Sequence, residues 1–278
     1  MALSNQLHDY QLFRDFLQDS CGILLGDNKA YLVNSRLKPV LAKYKIADLG
    51  KLLSIIKQSK QHELREQVID AMTTNETLWF RDTHPYEILI KKLFTELSST
   101  KSASPIKIWS AACSTGQEPY SIAISAKEFQ DKNDKKFTSR VKITATDISP
   151  SVLSNARAGV YQMLALGRGM SDARLNKCFT KVDEGSWGIK PEYKKMIDYK
   201  SLNLMDTFHQ VGSNFDIIFC RNVLIYFSPD LKKQILTKMH KCLKKGGVLM
   251  LGASESLSGL SDYYEMEPCH PGIIYRAK

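Results

Sequence analysis

Three short segments carry residue types and spacings that could do chemistry on a nucleoside. Ser110-Ala111-Ala112-Cys113-Ser114-Thr115-Gly116-Gln117-Glu118-Pro119 follows an apolar run and leads into a helical pattern. Its small residues let a ligand approach the backbone, and the helix start offers free N–H groups. With one glycine it is neither a phosphate loop nor a GxGxxG dinucleotide loop, which argues against a pyrophosphate; a tight strand-to-helix turn is its other reading. Ala145-Thr146-Asp147 ends a second apolar run with an acid placed to accept hydrogen bonds from both hydroxyls of a ribose. Asp147 could instead cap the next helix, but Ser149 ahead of Pro150 suits that task and leaves the acid for a ligand. Phe219-Cys220-Arg221-Asn222-Val223-Leu224-Ile225-Tyr226-Phe227 sets Arg221, Asn222 and Tyr226 just past a buried run, where polar groups form a ligand rim. A structural ion pair is the alternative use of Arg221.

The elements that must position these residues are read from periodicity. Short β-rich runs (Ile106–Ala112, Val141–Asp147, Phe215–Cys220 and Gly247–Gly252) alternate with helical stretches near Pro119–Phe129, Pro150–Ala158 and Pro229–Leu243. Strands separated by helices imply crossover units and a parallel sheet covered on both faces, whose ligands bind beyond the carboxyl ends of the strands. Tyr263–Met266 and Ile273–Arg276 predict an antiparallel hairpin at the sheet edge. An insert from about Met163 to Asp198 interrupts the alternation, and its stretch Lys181–Lys190 suggests a small antiparallel β excursion. A Ser/Lys-rich break, Ser98 to Ser104, precedes the first strand.

Residues 1–72 read as a small all-helical domain. Tyr10, Phe13, Phe16 and Leu17 recur at helical spacing, as do Leu49, Leu52, Leu53 and Ile56, then Leu64, Val68, Ile69 and Met72. Gly22 and the stretch 26–28 punctuate the first helices, and Asp48 is placed as an N-cap. Between Lys29 and Lys60 stand eight basic residues (Lys29, Arg36, Lys38, Lys43, Lys45, Lys51, Lys57, Lys60) against the single acid Asp48. This is either a solvated helix face or a docking surface for something acidic.

Composition removes whole classes. At 278 residues with 43% hydrophobic and 24% charged residues, the chain is neither disordered, collagen-like nor a small disulfide scaffold. No apolar run approaches the roughly 20 residues of a membrane span, and no secretion signal opens the chain, so a cytoplasmic protein is expected. The six cysteines contain no CxxC pair and read as reduced thiols; the histidines form no HExxH, so no metal is expected. Net charge +10 favours an acidic partner without choosing among nucleic acid, anionic lipid and protein.

The features of the three strand tips fit a nucleoside ligand lacking a pyrophosphate, of which S-adenosylmethionine is the common one. At this point the chain resembles the bacterial chemotaxis receptor methyltransferases, the CheR family. The resemblance is carried by Thr73-Thr74-Asn75-Glu76-Thr77-Leu78-Trp79-Phe80-Arg81, by Trp109 through Ser121, by Ala145-Thr146-Asp147-Ile148 and by Phe215 through Phe227, with Gly252-Ala253-Ser254-Glu255-Ser256 extending it. It implies a Rossmann-like class I methyltransferase domain over 91–278 with a β insert about 163–198, behind the helical domain 1–72 and a linker 73–90 that contributes to the donor site. By resemblance, Asn75, Thr77, Arg81, Ala112, Glu118, Asp147, Asn203, Leu204, Arg221 and Asn222 hold S-adenosylmethionine and its product S-adenosylhomocysteine. Tyr226 corresponds to a tyrosine close to the transferred methyl, and Arg81 and Tyr226 are expected to orient the acceptor. Cys113 and Gln117 depart from the family's commoner residues in that loop, at no carried-over contact.

The implied reaction is methyl transfer to glutamate side chains of methyl-accepting chemotaxis proteins, giving γ-methyl esters in sensory adaptation. The enzyme is expected to act as a monomer recruited to membrane-bound receptor arrays without inserting into the membrane. A glutamate, with a pKa of about 4.3, is already the nucleophile at neutral pH, so no general base is required. The basic stretch 29–60 would then steer glutamate-rich receptor helices. By resemblance, the compact stretch between Phe179 and Asn203 points to a member that needs no receptor C-terminal peptide as a tether. A nucleic-acid methyltransferase is the first rival, but the loop Cys220-Arg221-Asn222-Val223 lacks its N/D-P-P-Y/F or Pro-Cys chemistry, and no nucleic-acid partner is expected. A donor-binding adaptor without catalysis is the second; the intact Asn75, Thr77, Arg81, Asp147 set argues against it.

Overall fold

The apolar positions of the first 72 residues close on one another as four helices: α1 (Ala2–Cys21), α2 (Ala30–Tyr44), α3 (Leu49–Ile56) and α4 (His62–Met72). Phe13, Leu17, Val33, Leu37, Leu52, Ile56 and Val68 form their buried core. The Asp48 carboxylate accepts the Lys51 N–H at 2.8 Å and starts α3 as a cap should. The structure, a computed structural model, describes residues 2–58, 61–99, 104–133 and 141–278, with side chains from residue 6. Lys60 of the basic stretch, and part of the Ser/Lys-rich break, lie outside the described residues.

After α4 the chain runs extended as a strap and then turns back into helix: α5 (His84–Ile88), one π-helical turn (Leu89–Leu93) and α6 (Phe94–Ser99). The sequence reads 73–90 as a linker contributing to the donor site; Pro85 at the first turn and the buried Tyr86, Ile88, Leu89 and Leu93 explain the helix that occupies its second half.

The central sheet has seven strands. In chain order these are β1 (Ile106–Ala111) and β2 (Val141–Asp147), then, beyond the insert, β6 (Ile197–Ser201), β7 (Phe215–Cys220), β8 (Leu243–Leu251), β9 (Tyr264–Cys269) and β10 (Gly272–Ala277). Their spatial order is β6-β2-β1-β7-β8-β10-β9. The first five are parallel; β10 pairs antiparallel with β8 and with β9, the edge hairpin expected from sequence. Successive strand residues face opposite sides. Ile108, Ile217, Phe219, Val248 and Met250 enter the core under α7 (Gln117–Lys132), while Trp109, Ile218, Cys220, Leu249 and Leu251 enter the other. Two helices complete the crossovers: α8 (Pro150–Ala158), capped by Ser149, and α12 (Pro229–Cys242), capped by Ser228.

The insert builds a second, three-stranded antiparallel sheet in the order β3-β5-β4, from β3 (Val160–Gln162), β4 (Phe179–Lys181) and β5 (Ser186–Ile189). The short helices α9 (Met163–Leu166), α10 (Asp172–Cys178) and α11 (Pro191–Lys194) connect it. Its bounds differ from those read in the sequence. β3 precedes Met163, and Asp198 already belongs to β6, whose half-buried residues show no apolar run because it is an edge strand of the main sheet. Likewise β8 begins at Leu243, not Gly247, since Leu243 already pairs with Phe215 before a register shift.

Candidate functional site

The strand order reverses between β1 and β7, and the carboxyl ends of β1, β2 and β7 open there into one cavity of about 290 Å³. A topological switch point is where open α/β sheets bind ligands. One wall comes from the sheet, a second from the strap 73–81, and a third from Ile23, Leu24, Leu25, Lys29, Leu32 and Arg36 of the helical domain. All eleven residues singled out in the sequence (Asn75, Thr77, Arg81, Ala112, Glu118, Asp147, Asn203, Leu204, Arg221, Asn222 and Tyr226) line it.

The turns at the strand tips are conformationally costly. Ala112 (φ 56°), Ser114 (φ 50°) and Asn222 (φ 59°) occupy the left-handed region without being glycine, as do Phe80, Asp82 and Thr83 in the strap. Such residues cost of order 1–3 kcal/mol each and persist where surrounding contacts over-determine them. Those contacts are present. Ser114 N–H donates to Asp147 Oδ2 at 2.8 Å, and Ser114 Oγ donates to the Asn75 carbonyl at 2.8 Å, fastening strap, β1 and β2 together. Ser149 N–H donates to Asp147 Oδ1 at 3.0 Å, while Ser149 Oγ accepts from Val152 N–H and so caps α8. These bonds leave the Asp147 carboxylate with acceptor capacity for a ligand. Burial pushes its carboxyl above the usual range, against the lowering effect of the N–H groups of Ser149, Ser114 and Ile148.

Arg221 is buried with both Nη atoms committed. Nη2 meets Asp82 Oδ2 at 2.6 Å and the Arg81 carbonyl at 2.9 Å; Nη1 meets Glu118 Oε2 at 3.2 Å; Nε alone lacks a partner. Glu118 also accepts Ser110 Oγ at 2.8 Å. Burial raises the Glu118 carboxyl, with the Arg221 charge the strongest opposing influence. The ion pair weighed as an alternative for Arg221 is therefore present, and the residue shapes the cavity by holding α7, the strap and the β7 tip. Asn203 is similarly committed: its amide donates to the Ser20 carbonyl at 2.8 Å and its oxygen accepts Met205 N–H at 3.0 Å, binding the end of α1 to the rim. Asn75 donates to Thr73 Oγ1 at 3.0 Å. Arg81, half-buried, donates to the Glu76 carbonyl at 3.2 Å, which leaves most of its guanidinium donors for a ligand carboxylate. Tyr226 is half-buried, and its carbonyl accepts the Leu24 N–H at 2.9 Å.

Four supporting residues escaped sequence reasoning. Asp82 is 139 positions from Arg221, so no local pattern announces the pair. Arg36 was read only as surface charge, yet it donates to the carbonyls of Met72 (2.7 Å) and Thr73 (3.1 Å) and to Thr74 Oγ1 (3.0 Å), securing the start of the strap. Asp70 accepts Ser149 Oγ and, at 3.0 Å, Ser151 Oγ, tying α4 to α8. Glu255 stands in a quoted segment but had no role; its carboxylate accepts four backbone N–H groups. Lower in the strap, Trp79 is buried edge-on to Tyr161 and Phe179, and its backbone N–H donates to the Arg168 carbonyl at 3.2 Å.

The lining has the chemistry that S-adenosylmethionine requires: an acid at the β2 tip with acceptor oxygens of the kind ribose hydroxyls need, the apolar Ile148, Leu202 and Leu204, and the guanidinium of Arg81. The turn between β1 and α7 has no glycine-rich cradle for a pyrophosphate. Among the described residues, no group of three or more His, Cys, Asp or Glu is arranged to hold a metal ion, and no helix is long and apolar enough to cross a membrane. All six cysteines are free.

A sheet of this order, with an acid at the β2 tip and its ligand cavity at the switch point, defines a class I S-adenosylmethionine-dependent methyltransferase fold. Comparison with known proteins narrows it. Residues 75–273 match the family described as CheR methyltransferase, SAM binding domain, and residues 8–73 the one described as CheR methyltransferase, all-alpha domain. The chain is 52% identical over 278 residues to the chemotaxis protein methyltransferase of Vibrio parahaemolyticus, covering 100% of this chain and 99% of that one. It is 50% identical over 270 residues to chemotaxis protein methyltransferase 1 of Pseudomonas aeruginosa, covering 97% and 98%. Identity to the chemotaxis protein methyltransferase of Salmonella typhimurium is 34% over 242 residues, covering 86% and 80%. The chain belongs to the CheR methyltransferase family and is a chemotaxis protein methyltransferase that uses S-adenosylmethionine.

Proposed function

We propose that this enzyme esterifies glutamate side chains on the cytoplasmic helices of chemoreceptors, acting in the cytoplasm at receptor arrays as a monomer. The observation that carries the reading is one cavity shared by Asn75, Thr77, Arg81, Asp147, Asn222 and Tyr226 beside a helical wall that includes Lys29 and Arg36, with no histidine among the described lining residues. S-adenosylmethionine supplies an electrophilic methyl group. Asp147 would hold the ribose, Ala112, Asn203 and Leu204 would border the nucleoside, and Arg81 with the strap residues Asn75 and Thr77 would hold the amino-acid end. Glu118 and Arg221 keep the floor rigid through their buried pair.

The acceptor carboxylate arrives ionised, so the protein has no proton to remove. Attack of an anion on a cationic methyl donor annihilates charge in the transition state, and a water-poor, weakly polar site favours that step. Orientation is then the main task of the side chains. Tyr226 can donate a hydrogen bond to the acceptor oxygen that is not attacking. Arg81 guides the carboxylate without clamping it, since a tight pair would stabilise the ground state more than the neutral ester. Exposed Lys38, Lys43, Lys45, Lys51 and Lys57 give the helical domain a field that attracts acidic helices.

Labelled-methyl transfer to receptor cytoplasmic fragments tests this: label should enter the protein and leave as methanol in mild alkali. Label in nucleic acid, or donor binding with no transfer to any receptor fragment, would refute it. Arg81→Ala and Tyr226→Phe should each slow single-turnover transfer at saturating donor and receptor; wild-type rates in both would remove the orienting role.

A further inference from the structure

Glu255 lies in the turn after β8 and outside the residues lining the cavity. Its Oε2 accepts Asn222 N–H at 2.7 Å and Gly252 N–H at 2.8 Å, and its Oε1 accepts Val223 N–H at 3.0 Å and Leu224 N–H at 2.8 Å. Three consecutive N–H groups turned one way make an anion nest. They can do so because Asn222 adopts φ 59°. The fit leaves no slack: a Cβ on Gly252 would sit 2.7 Å from Glu255 Oε2, 2.8 Å from Asn222 Nδ2 and 2.9 Å from Asn222 N, so only glycine lets the two turns meet. Leu224–Tyr226 follows at once as a single 3-10 turn, and the Tyr226 carbonyl receives Leu24 N–H. The path runs unbroken from the Glu255 carboxylate through the backbone of 222–224 to the Asn222 and Tyr226 side chains at the cavity.

We propose that Glu255 is a positioning residue for methyl transfer: an internal carboxylate seated in the nest after β7 sets the backbone that presents Asn222 to the donor and Tyr226 to the acceptor. The inference rests on the reading of those two side chains given above. Without the carboxylate, three N–H groups at the rim lose a charged acceptor, and Asn222 loses the reason to hold a left-handed conformation.

The test uses the full chain with Glu255→Ala and Glu255→Gln, each checked for wild-type far-UV circular dichroism. In Glu255→Ala, amide exchange at Asn222, Val223 and Leu224 should speed at least about tenfold, roughly the worth of one hydrogen bond to a charged group. Affinity for S-adenosylhomocysteine and the single-turnover rate should fall by a similar factor. Formate, supplied in tens of millimolar at constant ionic strength, should restore at least half of each loss by refilling the nest, which a general loss of folding would not allow. Exchange, affinity and rate all within about twofold of wild type would overturn the proposal; so would losses in a folded variant that formate leaves unchanged. If the alanine variant does not fold, Glu255→Gln decides: it keeps the shape but turns an NH₂ toward the N–H groups, so faster exchange at 222–224 supports the proposal and unchanged exchange overturns it. Failure of the wild-type chain to bind S-adenosylhomocysteine would count against the donor reading, while the exchange measurement still decides the role of Glu255.

Discussion

Replacing Arg221 by methionine isolates the ion pairs at the floor of the cavity, because methionine keeps an unbranched chain and removes only the guanidinium head. The Arg221 side chain is 1% exposed, and its partners Glu118 and Asp82 are 12% and 30% exposed. Removing one partner of a buried pair costs about 3–5 kcal/mol, because a charge is left uncompensated. Water reaches Asp82 and screens its share, so the variant should lie near the lower end, at about 3 kcal/mol. For a chain of this size that corresponds to a fall in melting temperature of roughly 6–12 °C. The loss should depend on pH. Burial already raises the folded-state carboxyl of Glu118 and Arg221 holds it down, so deleting Arg221 raises it further. A group whose folded pKa is raised contributes stability that is present below its unfolded value and lost as pH rises through the folded value. The variant should therefore approach wild-type stability as pH falls through the raised folded value toward the ordinary carboxylate range, because the folded protein then takes up a proton at Glu118 and leaves no uncompensated charge there. Urea unfolding of both proteins at about pH 8 and about pH 5 checks this. A loss below about 1 kcal/mol at the higher pH, or one equal at both, would show that the guanidinium is not compensating buried carboxylates.

Other consequences are as direct. Gly169 has φ 107°, and a Cβ there would lie 2.1 Å from the Trp79 carbonyl oxygen, so Gly169→Ala should destabilise by at least about 3 kcal/mol, read from thermal unfolding. Ser149→Ala removes the cap of α8 and the contact with Asp70; a loss of about 1 kcal/mol for the cap alone sets the minimum shift in a urea titration. Transfer to receptor fragments below saturation should slow several-fold as salt rises, while donor affinity changes little; a flat response would detach the basic helical face from receptor capture.

Much of this is legible in the sequence, for identifiable physical reasons. The parallel strands β1, β2 and β7 are buried over most of their length and so read as short β-rich runs, and ligand chemistry collects where such runs stop. The caps Asp48 and Ser149 are local events with local signals. What escaped depends on distance along the chain. The edge strand β6 and three-residue β3 are too exposed or too short to show a pattern, and the helix after His84 hid in a stretch read as linker. Arg221 reads from sequence as a ligand contact because a chain cannot show that Asp82 and Glu118 will converge on it. Glu255 was visible as a letter in a motif, but its four bonds go to backbone, which carries no side-chain signature.

The strap has a consequence for how the molecule could be divided. Although Arg36 holds its first residues to the helices, its later fastenings run to the sheet, α7 and the insert: Asn75 to Ser114, Trp79 to Arg168, Phe80 to Ser121 and Arg81 to Arg221. Severing the chain just after α4 would leave that ribbon lying in place while stripping away the panel made by residues 23–36. Grafting a foreign helical module onto this sheet would accordingly rewrite one side of the chamber. On the receptor reading proposed above, preferences for the methyl source and for the protein being modified would then be inherited together.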